Sequence, residues 1–436
     1  MRVLLFPGYV GGGFGHISRC LVLAEEMVKQ KWEVAFVLGG AHADRLAAAG
    51  WTVFRPPTKP LLGRLYQRVE EALRRSRPSP SYLFFSDLSY QVVRDGFHTA
   101  RNIDRAVRRE LAIVDRFGPD VLIGDTWLLT SIVGRLANLP VAQIVRTGIH
   151  PSSPQLVWWR SLPSQLFPPE IVPIFNPTLE EWGLSPIERA NDLLAGDLFL
   201  VPSIPQLDPL PAGIERTHYV GPLVRSPNPE DSMPDWLADL PGDRPVVYVT
   251  VGGGANAVRG LDLLSLWEAV FAPTDWEVVI STAGQPVPRR WQPRERFHVF
   301  PWVPGAAMVA RSDALLFHGG YGTMMETVRA GVPSVVLPFH TEQESNGRRL
   351  QENGAARLLA PDNDNLQPVT CHWEGGEFTV LAAYDLLFQS QHVRDAVSAV
   401  LQEPAYRSSA QRLRMEQAVY GGAAAALEHI ADLVIS

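Results

Sequence analysis

The sequence predicts an α/β protein made of two doubly wound, Rossmann-like domains that face each other across a cleft. Three observations carry this expectation. Short apolar runs alternate with stripes of helical spacing, the pattern of βαβ units and a mostly parallel sheet. The alternation breaks at a proline-rich, acidic stretch and then begins again, and each half holds a glycine-rich turn between an apolar strand and a helix. The length, 436 residues, suits two cores of about 200 residues better than one.

In the first half, residues 3–6 read as strand one. Ile17, Leu21, Ala24 and Val28, with Cys20 and Met27 beside them, form a helical stripe before strand two at 34–38. Further apolar runs at 121–124, 141–145 and 198–201 complete a first domain over 1–220. Within it, 61–115 is arginine-rich and helix-permissive, with an aromatic cluster at Tyr82, Phe84, Phe85 and Tyr90, and reads as an insertion over one edge. Proline and acidic residues make 221–243 the linker. A second domain over 244–404 follows, with strands expected at 246–251, 276–281, 298–300, 314–317 and 334–337 and a helix near 261–271. The alanine-rich end, 405–436, is expected to be helical and to pack back across the cleft.

Composition narrows the function classes. Hydrophobic residues at 46% and charged ones at 19% describe a globular chain. A formal charge of −7 speaks against a nucleic-acid partner. Cys20 and Cys371 stand far apart with no C-x-x-C, which fits a reducing compartment and excludes a cysteine zinc site. Residues 1–6 run straight into glycines without an h-region or cleavage site, so no signal peptide is expected. No apolar run long enough to span a bilayer, about 20 residues, is free of charge, proline or glycine clusters. The expectation is a cytoplasmic protein. The arginines among 64–77, with Leu61, Leu62 and Leu65, allow peripheral contact with an anionic membrane face, although such a run is more often a solvated helix surface.

The first glycine turn runs from Gly8 through Gly11, Gly12, Gly13 and Gly15 to His16. As a dinucleotide fingerprint it fails. The final glycine position falls on His16 or Ser18, and strand two ends in Gly39-Gly40 with no acid for a ribose hydroxyl. A nicotinamide or flavin oxidoreductase is therefore disfavoured. His16 can simply cap or pack a helix start. Its place at the carboxyl edge of a parallel sheet, with Asp125 just past the strand at 121–123, instead suggests an imidazole oriented by a carboxylate. Asp120 competes for that role but precedes its strand, at the opposite edge.

The second turn is more informative. After the apolar run 314–317 come His318, Gly319, Gly320, Tyr321, Gly322, Thr323 and, one helical turn on, Glu326. A helix N-terminus offers free N–H groups to phosphate, and glycines let the backbone approach it. His318 and the Thr323 hydroxyl add donors, while Glu326 can accept from sugar hydroxyls. Thr323-x-x-Glu326 is equally a capping box, with Gly331 as the helix stop. Glu342-Gln343, past the strand at 334–337, either bind sugar hydroxyls or merely begin a helix. Asp362-Asn363-Asp364 has a metal-binding D-x-D spacing but reads as a solvated turn, and no other metal site suggests itself.

From Trp302-Val303-Pro304 to Asn353-Gly354 the sequence resembles the UDP-glycosyltransferase superfamily, whose fold is GT-B. The likeness continues more sparsely at Gly15-His16 and Asp125. The run from Gly13 to Arg19 is also similar to bacterial lipid-linked sugar transferases. The resemblance implies that Trp302 stacks on the nucleobase and that Glu326 binds the ribose. It also implies that His318, Gly320, Gly322 and Thr323, helped by Gly252 and Gly253, hold the diphosphate. Glu342 and Gln343 would bind the donor sugar, with His16 as general base and Asp125 orienting it. Departures from the pattern exist. Gly305 stands where plant members have glutamine, Gly253 replaces a serine or threonine, Tyr321-Gly322 replace Trp-Asn and point to the bacterial branch, and Glu342 lengthens an aspartate.

The expected activity is inverting, metal-independent transfer of a sugar from a UDP- or dTDP-sugar, with no cofactor, to an acceptor hydroxyl. The acceptor is expected to be a small molecule or lipid on an apolar surface near Trp127 and Trp158, which are equally placed to be core. Two alternatives share the fold: a nucleotide-sugar 2-epimerase or hydrolase needing no acceptor, and a silent nucleotide-sugar-binding partner of another transferase.

Overall fold

The computed structural model describes all residues except 11–12, 57–79, 226–233, 253–262, 283, 285–286, 288–294, 386–387 and 436. The first half folds around strands β1 (Arg2–Pro7), β2 (Glu33–Val37), β3 (Thr52–Phe54), β5 (Val121–Asp125), β6 (Val141–Ile144), β7 (Leu198–Val201) and β8 (Thr217–Tyr219); β4 (Tyr82–Phe84) lies apart from them. They form one parallel sheet in the order β3-β2-β1-β5-β6-β7-β8. Its central strands are buried on both faces, as their unbroken apolar runs require. Helix α1 (Gly15–Lys29) covers one face through Ile17, Cys20, Leu21 and Ala24. Helices α2 (Ser89–Asp95) and α3 (Ala100–Phe117) lie on the other. Of the stretch read as an insertion, residues 61–79 fall outside the described residues. Ala100–Phe117 is the crossover helix that feeds β5, capped by the Thr99 side chain and stopped at Gly118 with φ 63°.

The second half repeats the plan. Strands β9 (Val246–Thr250), β10 (Glu277–Ser281), β11 (Phe297–Phe300), β12 (Ala314–Phe317), β13 (Ser334–Val336) and β14 (Ala356–Leu358) form a parallel sheet in the order β11-β10-β9-β12-β13-β14. Three helices there bear on the site: α4 (Gly305–Arg311), α5 (Tyr321–Ala330) and α6 (Thr341–Glu352). In each sheet the strand order reverses once, between β1 and β5 and between β9 and β12. Ligands of open α/β sheets bind beside that reversal, outside the carboxyl ends of the strands. This is the GT-B architecture of two Rossmann-like domains.

Several connections join the halves among the described residues. Residues 363–385 contribute strands β15 (Gln367–Trp373) and β16 (Gly376–Ala383) as an antiparallel hairpin. β16 pairs in turn with β4 of the first half, Leu381 opposite Phe84. Helix α6 carries a fully buried carboxylate, Glu344, that accepts from the Tyr82 hydroxyl and from Arg348, with Arg160 at 3.8 Å. At the chain end, α7 (Pro404–Gln417) packs on α5, and α8 (Ala423–Ile435) lies on α1, its Ala426, Leu427 and Ile430 completing the first domain's core. Among the described residues no helix is long and apolar enough to cross a membrane.

Candidate active site

In the first half the site grows from the β1–β5 reversal. Gly8 donates its N–H to the Asp125 carbonyl at 2.8 Å, closing the ends of the two strands together. A Cβ at Gly8 would stand 3.3 Å from that oxygen and 3.5 Å from the His16 ring. Asp125 ends β5, and His16 is the second residue of α1, so both side chains reach the carboxyl edge of the sheet. His16 Nδ1 lies 2.8 Å from Asp125 Oδ1. Arg19, one turn further along α1, binds the same carboxylate twice, Nε to Oδ2 at 2.7 Å and Nη2 to Oδ1 at 2.6 Å.

Burial alone would raise the Asp125 pKa. Arg19 and His16 outweigh it and hold the group at about 2. An ionised carboxylate only accepts, so the contact with Asp125 is a hydrogen bond in the tautomer that carries Nδ1–H, and that tautomer leaves Nε2 as a proton acceptor; Arg19 Nη2, 2.7 Å from the same Nδ1, can only donate and competes with it. The His16 side chain is 34% exposed and faces the cleft. Glu342 of the second half senses it from across that cleft. Crowding would raise the Glu342 pKa, but His340, Arg146, His16 and Arg19 together keep it below the usual carboxylate range.

In the second half the site grows from the β9–β12 reversal. Helix α5 begins at Tyr321, with Gly320 in extended backbone as its N-cap and no side-chain cap. This corrects the capping-box reading, which would start the helix at Thr323. Met324 N–H already closes the first turn on the Gly320 carbonyl at 2.9 Å, so Thr323 is the third helical residue and its hydroxyl is not spent on a cap. The N–H groups of Tyr321, Gly322 and Thr323 therefore point out of the helix start unpaired within it. Gly331, at φ 68°, stops the helix as expected.

His318 lies beneath this helix start. A Cβ at Gly252 or at Gly320 would run into its ring, so both positions must be glycine for the imidazole to fit. Burial, and then His340, push the His318 pKa down to about 4, so the ring is neutral, and its buried Nδ1 has no hydrogen-bond partner among the described residues. Gly253 lies outside the described residues. Trp302 projects with 62% of its surface exposed and rests on Gly284. The Glu326 carboxylate sits against the start of α4, 3.4 Å from where Gly305 would carry a Cβ, and burial raises its pKa despite Arg329. Glycine in place of a longer side chain at 305 leaves that carboxylate uncovered.

Some expected contacts do not materialise. Gln343 is buried, and its Oε1 accepts the Phe339 N–H at 2.8 Å, so only Glu342 of the pair is open to a ligand. Trp127 is 5% exposed, stacks on Tyr9 and donates its indole N–H to Glu110. Trp158 donates to Ser345 Oγ at 3.3 Å and lies under Arg349 at 3.5 Å. Trp127 therefore offers no acceptor surface, while Trp158 is half-buried. The first is core, and the second lies at the contact between halves. The sequence also passed over three residues. Tyr321 is sandwiched between Arg19 at 4.8 Å and Arg146 at 4.5 Å, so the helix facing the diphosphate position stacks on the arginine that holds Asp125. Arg19 was legible from its spacing, three residues after His16 on the same helix face. Arg146 was not, because its role depends on Asp208 and Asn346.

Glu110 carries a pH prediction. Burial pushes its pKa up to about 8 against the pull of the Trp127 N–H, and its second oxygen has no hydrogen-bond partner among the described residues. The folded chain thus keeps a proton that the unfolded chain releases near its ordinary pKa of 4.5. The stability this group contributes is complete below that value and is lost as pH rises toward about 8. Glu110→Gln keeps an acceptor for Trp127 and should flatten that slope, gaining about 3 kcal/mol at neutral pH. Denaturant midpoints at about pH 5 and about pH 8 measure it; parallel wild-type and variant curves would show that Glu110 ionises normally in the fold.

The comparisons with known proteins bear on the fold and the family. Residues 268–372 match the family described as "Erythromycin biosynthesis protein CIII-like, C-terminal domain". A PGL/p-HBAD biosynthesis glycosyltransferase of Mycobacterium tuberculosis is 30% identical over 295 residues, 63% of this chain; the match spans 66% of that relative's length. A PGL/p-HBAD biosynthesis rhamnosyltransferase of Mycobacterium bovis is 27% identical over 91% of this chain and 80% of its own. Among solved structures, the spinosyn rhamnosyltransferase SpnG complexed with thymidine diphosphate superposes with a TM-score of 0.66 at 20% identity, over 99% of this chain and 100% of that one. With the two switch-point sites described above, these likenesses identify the chain as a member of the UDP-glycosyltransferase superfamily.

Proposed function

We propose that this protein is an inverting, metal-independent glycosyltransferase that moves a sugar from a dTDP- or UDP-sugar to a hydroxyl of a lipophilic acceptor. One observation carries the reading: the His16–Asp125 pair faces, across the cleft, a glycine-bounded helix start with unpaired N–H groups and a neutral histidine. The acceptor hydroxyl loses its proton to His16 Nε2 while its oxygen attacks the anomeric carbon. The bond to the diphosphate oxygen breaks as the new bond forms, through an oxocarbenium-like transition state, and the electron pair leaves with the nucleotide. Negative charge then grows on the diphosphate beside the N–H groups of Tyr321, Gly322 and Thr323 and the His318 ring. Each preorganised donor of this kind is typically worth about 3–4 kcal/mol. Attack from the face opposite the leaving group inverts the anomeric centre.

Trp302 stacks on the base, Glu326 binds the ribose, and Glu342 meets the sugar. Thymidine diphosphate is the first nucleotide to try, since the spinosyn enzyme was solved with it. Acceptor mass spectrometry, with the anomeric configuration read by NMR, tests the reading. Free sugar or an epimer formed from donor alone, with no acceptor product, would overturn it. In calorimetric titrations Glu326→Ala should bind dTDP or UDP about tenfold more weakly, the cost of one hydrogen bond to a charged group. Unaltered affinity would leave Glu326 outside the nucleotide site.

A further inference from the structure

The outer face of α3 is strongly basic on a chain that is acidic as a whole. Arg101, Arg105, Arg108, Arg109 and Arg116 lie along one side of that helix, and with Arg55 at the end of β3 they line an open groove of about 690 Å³. The groove's single acidic residue, Asp104, is taken by Arg108 at 2.7 Å. Arg55 pairs with Asp44, and Arg116 lies over the Phe54 ring. Among the described residues Arg101, Arg105 and Arg109 have no carboxylate partner. Positive charges set side by side on a chain of net charge −7 repel one another for no structural return. The buried side of α3 is secured separately, by Ile103, Val107, Ile113 and Val114.

The arrangement selects the ligand. At 1.5 Å per residue the stripe from Arg101 to Arg116 is about 22 Å long. Its guanidinium groups stand in a row on an open face and do not converge on one buried point. A row suits many phosphates in a plane better than one free phosphate. We propose that this face docks the protein on the anionic phospholipid surface of a membrane. A long nucleic acid is the poorer fit, because beyond the stripe it meets a protein of the same sign of charge. A bilayer is met by this one face alone. The proposal does not depend on glycosyl transfer.

Co-sedimentation of the full chain with vesicles tests it. The protein should pellet with vesicles one-third phosphatidylglycerol, stay in solution with pure phosphatidylcholine, and be released at high ionic strength. Each basic side chain near such a surface contributes roughly fivefold to binding, so the triple variant R101Q/R105Q/R109Q should bind about a hundredfold more weakly. Its thermal midpoint, and its transfer to a soluble acceptor, should match wild type, because none of the three touches the cleft residues. Absence of binding to the anionic vesicles, equal binding by the triple variant, or capture of a single-stranded RNA oligomer or inorganic pyrophosphate in place of vesicles would each overturn the proposal.

Discussion

An alanine at position 16 is expected to lower the turnover of glycosyl transfer by about 10²–10⁴-fold, the range a positioned general base supplies. Nucleotide affinity should be unchanged, because the groups that would hold the nucleotide lie on α5, β9 and the turn at Trp302. The prediction rests on a proton inventory. Asp125 is ionised and bound twice by Arg19, so it accepts a hydrogen bond from the His16 Nδ1–H tautomer without taking the proton and cannot itself serve as the base. The one free basic nitrogen of that cluster is His16 Nε2. Single-turnover rates at saturating donor separate this loss from binding, and calorimetry with dTDP or UDP supplies the control. Turnover equal to wild type would remove His16 from the chemistry, and joint loss of turnover and affinity would mean that the substitution had disturbed α1.

Glu344→Ala should destabilise the folded chain by about 3–5 kcal/mol, the cost of breaking a buried ion cluster on one side only. Glu344 has no exposed surface, and it is the sole carboxylate facing Arg348 and Arg160 among the described residues. Without it, the buried Tyr82 hydroxyl and the half-buried Arg160 and Arg348 lose their carboxylate. Tyr82 and Arg160 belong to the first half and Arg348 to the second, so the loss falls on the contact between them. Denaturant unfolding read by tryptophan fluorescence is apt, since Trp159 lies under Arg348 and Trp158 under Arg349. A second, earlier transition would show the halves separating before either unfolds. A loss below about 1 kcal/mol would place the cluster among surface pairs of little consequence.

The two sheets were legible because parallel strands buried on both faces leave short continuous apolar runs, and their length and the glycines and prolines that flank them separate them from buried helix. Short strands escaped. β3, β8 and β14 span three residues each, too few for periodicity to register. The hairpin of β15 and β16 escaped for another reason. Its pairing with β4 joins residues nearly 300 positions apart, and half of β15 is exposed, so no apolar pattern marks it. The start of α5 was misplaced because Thr323-x-x-Glu326 satisfies a local capping rule, while the glycines before it allow the helix to begin two residues earlier.

Local sequence determined this protein's architecture, its two glycine turns, and the residues at the carboxyl ends of its strands, His16, Asp125, His318, Glu326 and Glu342 among them. Strand and helix periodicities are short-range properties, and a sheet's reversal point follows from strand order. Only the tertiary structure decided which of those residues face one another. It also turned Trp127 from a proposed surface into packing, and it set Arg19 and Arg146 on either side of Tyr321. Burial and charge pairing between the halves depend on distances across the cleft, and no local pattern in the chain encodes those distances.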